Sequence, residues 1–295
     1  MHTTGRSAPR VAVLGTGLMG APMARHLHRA GFDVRAWDIA FERRQALANE
    51  GIAMCSSARE ATEGAEVLIT MLPDYQVVHD VMTGSNRAIE GVNGLWIQSS
   101  TVGLEGTRWL GAIAEDAGIT YVDCPLLGTK VTAEAGELTA LYSGPSGAQE
   151  LSRQVLHSFC TQILWLGEAG HGSQLKLVMN GWILGLAALT AETIALSVGL
   201  GFAPMTFLEM IRGGPFDVAQ AHLKGSAMIE GNFAPGLPLR WAAKDARLIV
   251  AAGNEVGIEL LMANAVATHL ERSRDAGHGD EDYSAVWYAL RPTQQ

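Results

Sequence analysis

The chain has 295 residues, 48% hydrophobic and 17% charged, with 21 Lys plus Arg against 30 Asp plus Glu and a net charge of −9. At about 150 residues per domain, two domains are expected, with enough apolar material to bury substantial cores, which argues against disorder. The acidic balance excludes a globally basic surface, so nucleic acid is not an expected partner.

In chain order, residues 1–9 are polar and predict no signal peptide. Val11–Leu14 reads as a strand ending at Gly15, and Ala21–Ala30 as a helix closed by Gly31. Asp33–Trp37 is a second strand, Glu42–Glu50 a helix closed by Gly51, and Val67–Leu72 a buried strand stopped by Pro73. Leu95–Gln98 and Thr120–Asp123 are further strands flanking a helical Thr107–Ala117. Strands alternating with helices of this length predict a parallel sheet with crossover helices. Beyond residue 165 the pattern turns helical: Ser173–Gly199, Pro204–Ile211, Ala242–Ala252, Ile258–Arg274 and Tyr283–Leu290. The apolar run Leu177–Ala191 is shorter than the ~20 residues of a membrane span and reads as a buried helix. The expected fold is an α/β Rossmann-type domain over 10–168 followed by an all-α domain over 169–295, joined by a long helix. Cys55, Cys124 and Cys160 form no C-x-x-C and suit a reducing compartment, so a cytoplasmic protein without a metal site is expected.

Gly15-Thr16-Gly17-Leu18-Met19-Gly20 follows a strand and opens a helix. In such a G-x-G-x-x-G the first glycine makes the tight turn, the second admits a pyrophosphate, and the third lets helix and strand approach. Asp38 ends the next strand, where a carboxylate accepts hydrogen bonds from the adenosine ribose. This combination predicts a dinucleotide. Asp38 repels a 2′-phosphate and favours NAD, whereas Arg43 and Arg44 lie near enough in sequence to keep NADP open.

Lys176 and Asn180 lie four residues apart at the start of the apolar helix and so share a face. Two donors facing one spot suit the carbonyl oxygen of a hydride-transfer site. A snorkelling lysine beside an asparagine that satisfies backbone explains the pair equally well.

Together these segments resemble the β-hydroxyacid dehydrogenase family, which includes 3-hydroxyisobutyrate dehydrogenase and the glyoxylate/succinic semialdehyde reductases. Gly15–Gly20 is similar to the family's G-x-G-x-M-G, and Asp123–Gly136 to its D-A-P-V-S-G-x-x-x-x-A-x-x-G. Gly167–Asn180 is similar to its G-x-x-G-x-G-x-x-x-K-x-x-x-N, and Lys244-Asp245 to its K-D pair. The resemblance implies Lys176 as catalytic acid/base and Asn180 as the substrate-orienting residue beside it. It assigns Thr101, Leu127, Gly128, Thr129, Leu237 and Asp245 to the substrate. Met71, Leu72, Pro73, Thr101 and Lys244 are assigned to the cofactor, together with the glycine loop and Asp38. The segments 128–136 and 233–240 are closer to the semialdehyde/glyoxylate reductase branch. Three positions depart from the pattern. Leu127 replaces a serine that helps hold the substrate carboxylate, Leu237 replaces a phenylalanine, and Gly103-Leu104 replaces an acidic-proline pair.

The implied function is hydride transfer between NAD(P) and a 3-hydroxyacid or semialdehyde-like small molecule. An imine reductase on the same scaffold is the close alternative, although that group usually lacks the lysine. A non-catalytic cofactor sensor would not require Lys176 or Asn180. The long apolar helix, with Gly181, Gly185 and several alanines, predicts a homodimer or higher oligomer.

Overall fold

The computed structural model describes residues 8–85 and 87–290, so the polar leader at 1–7 lies outside the described residues. It divides into two compact units, one ending at Lys176 and the other beginning at Leu177.

The first unit opens with β1 (Arg10–Leu14), α1 (Gly20–Arg29), β2 (Asp33–Trp37), α2 (Phe41–Ala48), β3 (Ala53–Met54) and α3 (Ala58–Thr62). It continues through β4 (Ala65–Thr70), α4 (Tyr75–Thr83), β5 (Val92–Gln98), α5 (Gly103–Asp116) and β6 (Thr120–Asp123). These six strands form one parallel sheet in the order β3-β2-β1-β4-β5-β6. Alternate side chains feed two cores. Val11, Val13, Val67, Ile69, Leu95 and Ile97 enter one, and Ala12, Leu14, Leu68 and Trp96 the other. Strands buried on both faces are what helices on both sides of a parallel sheet require.

A smaller sheet follows, which the sequence reading did not anticipate. Its strands are β7 (Leu126–Leu127), β8 (Leu138–Tyr142) and β9 (Cys160–Trp165), with α6 (Lys130–Ala135) and α7 (Gln149–Leu156) between them. β7 pairs antiparallel with β8, and β8 pairs parallel with β9. Leu126, Leu138, Ala140, Tyr142 and Phe159 extend the first core.

α8 (His171–Gly199) begins in the first unit and continues into the second. Its 29 residues bear out the expected long connecting helix but not the expected burial of its apolar run: by length and composition it is sufficient to cross a membrane, and only 33% of its most apolar window is buried. Glu192 interrupts the apolar run but not the helix, and Trp182, Leu189 and Leu196 are exposed.

The second unit adds α9 (Thr206–Ile211), α10 (Ala219–Glu230), α11 (Leu239–Glu255) and α12 (Leu261–Ser273). The segment Tyr283–Leu290 is a 3₁₀ helix and packs against α10, α11 and α12. No strand occurs in this unit among the described residues, apart from an isolated bridge between Pro238 and Asp282.

Candidate active site

The strand order reverses between β1 and β4, and in such sheets ligands bind beyond the carboxyl ends of the strands at this switch point. The glycine loop leaves β1 there. Gly15 has φ +94°, and a Cβ on it would lie 2.3 Å from the Met71 carbonyl oxygen. A Cβ on Gly20 would lie 1.9 Å from the Gly15 oxygen, so these two glycines are required by turn and packing. A Cβ on Gly17 would meet only Arg43 Nη1, at 3.7 Å, so the loop's outer face stays bare for a ligand. The Thr16 hydroxyl is buried with no protein partner. A bare loop, a helix N-terminus and an unpaired buried hydroxyl fit a pyrophosphate. Leu18 and Met19 complete the turn into α1.

Asp38 is buried. Its Oδ2 accepts from the Thr16 N–H at 2.8 Å and its Oδ1 from the Ala40 N–H at 2.9 Å. The predicted ribose acceptor therefore also braces the glycine loop. Arg43 leans onto it, with Nη1 3.4 Å from Oδ2, while the Arg44 guanidinium sits 5.8 Å from the centre of the Phe41 ring.

Met71, Leu72 and Pro73 follow β4 at the same strand ends, and the Leu72 N–H donates to Ser100 Oγ at 2.8 Å. Thr101 follows β5. Beneath it Gln98 donates from Nε2 to the Ser100 carbonyl at 2.9 Å and accepts the Ser100 N–H at 2.6 Å, which fixes the turn.

Leu127 lies in β7 and Gly128 directly after it, with φ +140°. A Cβ at Gly128 would meet Thr132 Oγ1 at 2.4 Å and Leu138 Cδ2 at 2.5 Å, so only glycine fits. The Thr129 N–H is committed to Thr132 Oγ1 at 2.7 Å, so its backbone is not free to donate to a ligand. Lys176 is partly buried and its Nζ donates to the Leu126 carbonyl at 2.7 Å, which brings the ammonium beside β7. Sequence reasoning missed Asp123 as an individual residue. It is fully buried, and burial pushes its carboxyl up to about 6 while hydrogen bonds from Ser173 and Ser143 oppose the rise.

In the second unit Asn180 is buried and donates from Nδ2 to Asp245 Oδ2 at 2.9 Å. Lys244 Nζ lies 2.9 Å from Asp245 Oδ1, so Asn180, Lys244 and Asp245 form one polar group. The Leu237 N–H reaches Asp282 Oδ2 at 3.3 Å, which ties its loop to the residue that precedes the Tyr283–Leu290 segment. Among the described residues, no cluster of three or more His, Cys, Asp or Glu could hold a metal.

A Rossmann-type sheet with a phosphate-ready glycine loop, followed by a helical unit, defines a dinucleotide-binding protein. A family model described as the NAD binding domain of 6-phosphogluconate dehydrogenase matches residues 10–167. A second, described as NAD-binding of NADP-dependent 3-hydroxyisobutyrate dehydrogenase, matches residues 170–290. The chain belongs to the β-hydroxyacid dehydrogenase family. It is 31% identical over 283 residues to glyoxylate/succinic semialdehyde reductase 2 of Arabidopsis thaliana, covering 95% of this chain and 79% of that one. The structure of Mycobacterium tuberculosis 3-hydroxyisobutyrate dehydrogenase with L-serine superposes with a TM-score of 0.86 at 29% identity, covering 97% of this chain and 100% of that one. An imine reductase variant from Myxococcus stipitatus shares the fold at a TM-score of 0.59 and 22% identity, covering 96% of this chain and 99% of that one. The protein is an NAD(P)-dependent oxidoreductase of the β-hydroxyacid dehydrogenase type.

Proposed function

We propose that this enzyme interconverts a hydroxyl and a carbonyl on a small semialdehyde-like acid, with Lys176 as the proton-transfer group. The bound nicotinamide supplies or accepts the hydride. In reduction the Lys176 ammonium gives a proton to the oxygen as negative charge develops on it; in oxidation neutral Lys176 removes the hydroxyl proton. The observation that carries this reading is the Lys176 Nζ anchored on the Leu126 carbonyl at 2.7 Å, next to Leu127 and Gly128 of the substrate motif. Asn180, held by Asp245, is the residue assigned to orient the substrate, and the family pattern assigns Thr101, Gly128, Thr129 and Leu237 to the substrate as well. Lys244 serves the cofactor.

Leu127 offers no hydroxyl to a substrate carboxylate. A hydrogen bond to a charged group is worth about 1.5–3 kcal/mol, which favours substrates that depend less on that anchor. Imine reduction is the second reading; Leu127 favours it through a less polar site, and Lys176 opposes it. NAD is the preferred cofactor because Asp38, braced by two backbone donors, sets a carboxylate against a 2′-phosphate. The exposed Val178, Trp182, Leu189 and Leu196 of α8 support a homodimer or higher oligomer, and three free, buried thiols suit the cytoplasm.

Turnover of NADH and NADPH with glyoxylate, succinic semialdehyde, larger aldehydes, ketones and cyclic imines tests the proposal. Activity on aldehydo acids is expected. Activity confined to imines would overturn it.

A further inference from the structure

Asp123 ends β6, and the polar partners of its carboxylate, Ser143 and Ser173, lie outside that strand. Its Oδ2 accepts from the Ser173 N–H at 2.7 Å and its Oδ1 from Ser173 Oγ at 2.7 Å. Ser143 Oγ donates to Oδ2 at 3.3 Å and itself accepts from the Gly172 N–H at 3.0 Å. Thr107 Oγ1 lies 3.0 Å from Ser173 Oγ, so α5 also braces the cluster. The Gly172 and Ser173 N–H groups belong to the first turn of α8, which has no intrahelical acceptor for them. The Asp123 carboxylate satisfies the Ser173 N–H and meets the positive end of the helix dipole, while Ser143 Oγ takes the Gly172 N–H. The fit is closed: a Cβ on Gly172 would lie 2.3 Å from the Leu141 oxygen and 3.0 Å from Asp123 Oδ2.

Ser173 is one turn before Lys176 on the same helix face. Lys176 Nζ in turn donates to the carbonyl of Leu126, three residues beyond Asp123. The link between β6 and β7, residues 123–126, thus grips the helical turn 173–176 at both ends, through Asp123 at one and the Leu126 carbonyl at the other.

We propose that Asp123 is a positioning residue for proton transfer: by clamping Ser173 it fixes the rotation and height of the first turn of α8 and so the place of Lys176 Nζ beside β7. This rests on Lys176 as the proton-transfer group. The clamp touches neither the glycine loop nor Asp38, so its loss should spare the dinucleotide. A displacement of about 1 Å at a reacting group costs about 10²-fold in rate.

Asp123→Asn keeps the side chain's shape but leaves only one oxygen for the two Ser173 donors. It should lower kcat by about ten- to a hundredfold while cofactor Kd and substrate KM change by no more than about threefold. Ser173→Ala removes only the hydroxyl arm and should give a smaller loss in the same pattern. It carries the test if the Asp123 variant does not fold. Each change is also made in a Lys176→Ala background and read by single turnover with enzyme in excess, using succinic semialdehyde or the most active aldehyde of the panel above. If the clamp acts through Lys176, neither change lowers the residual rate further. An equal fold-loss in both backgrounds, or a parallel weakening of cofactor binding, would overturn the proposal and leave Asp123 as a general brace. Undiminished kcat in Lys176→Ala alone is a separate result: it overturns the lysine mechanism and this inference with it.

Discussion

Lys224 and Asp282 form a buried ion pair at 2.8 Å, and the loop carrying Leu237 hangs from it. Asp282 also accepts from the N–H groups of Gly236 at 3.1 Å, Leu237 at 3.3 Å and Ser284 at 3.0 Å, and from Ser284 Oγ at 2.8 Å. Lys224→Met keeps most of the stem's bulk but removes the ammonium that lies 4.4 Å from the centre of the Tyr283 ring, and leaves the carboxylate without its counter-charge. Removing one member of a buried pair costs about 3–5 kcal/mol; with four donors still in place the lower end, about 3 kcal/mol, is expected. At about 2–4 °C per kcal/mol this is a fall in Tm of about 6–12 °C. The pH dependence gives a second reading. Burial pushes the Asp282 carboxyl up, while the Lys224 ammonium and hydrogen bonds from Lys224 and Ser284 bring it below its ordinary value. In the native protein its stabilisation is therefore present above the unfolded value of about 4 and lost as pH falls through the folded one. Without Lys224 burial dominates, the folded form holds the proton more tightly than the unfolded chain, and stability declines as pH rises through that range. The penalty should grow between about pH 4.5 and about pH 7.5 in urea melts followed by circular dichroism. A loss under about 1 kcal/mol, or one independent of pH, would refute the argument.

Asp38→Asn should shift the ratio of kcat/KM for NADH over NADPH towards NADPH, and it should weaken both cofactors somewhat because Thr16 loses a charged acceptor. Unchanged preference in steady-state kinetics would remove Asp38 as the discriminator. Leu127→Ser restores a donor to the anion site and should raise kcat/KM for small carboxylate aldehydes by about tenfold or more, with little effect on uncharged aldehydes. An equal gain on both would show that the hydroxyl does not meet the carboxylate. Light scattering at micromolar concentration should give a dimer or larger; a monomer would contradict the role given to the exposed face of α8.

The sheet was legible because its signals are local. Asp33–Trp37 and Thr120–Asp123 are read with their observed bounds, since apolar strands with polar or glycine ends announce themselves. β4 ends at Thr70 rather than Leu72 because its neighbour β1 stops at the Gly15 turn and offers no further register. α5 begins at Gly103, four residues early, since a glycine at φ +78° opens it instead of a familiar cap. α10 was missed entirely. Its buried positions are Ala221, Lys224, Gly225 and Met228, so the helical period is carried by small residues and a charge rather than by an apolar stripe. The small sheet escaped because β7 has two residues and β9 contains exposed Thr161 and Gln162. Within the site, the glycine loop, Lys176 and Asn180 carried motif spacing. Asp282 carried no motif and Asp123 only opened one, because the role of each lies in partners 58 and 50 residues away.

The central claim is that Lys176 moves the proton while the glycine loop holds the dinucleotide. Lys176→Ala tests it most directly, with cofactor binding followed by fluorescence titration alongside turnover of the best substrate. Positioned acid–base catalysis contributes about 10²–10⁴ in rate, so kcat should fall at least about a hundredfold while cofactor Kd stays within about threefold. Retention of most of kcat would contradict the account, and a loss of cofactor affinity matching the loss of rate would contradict it as well.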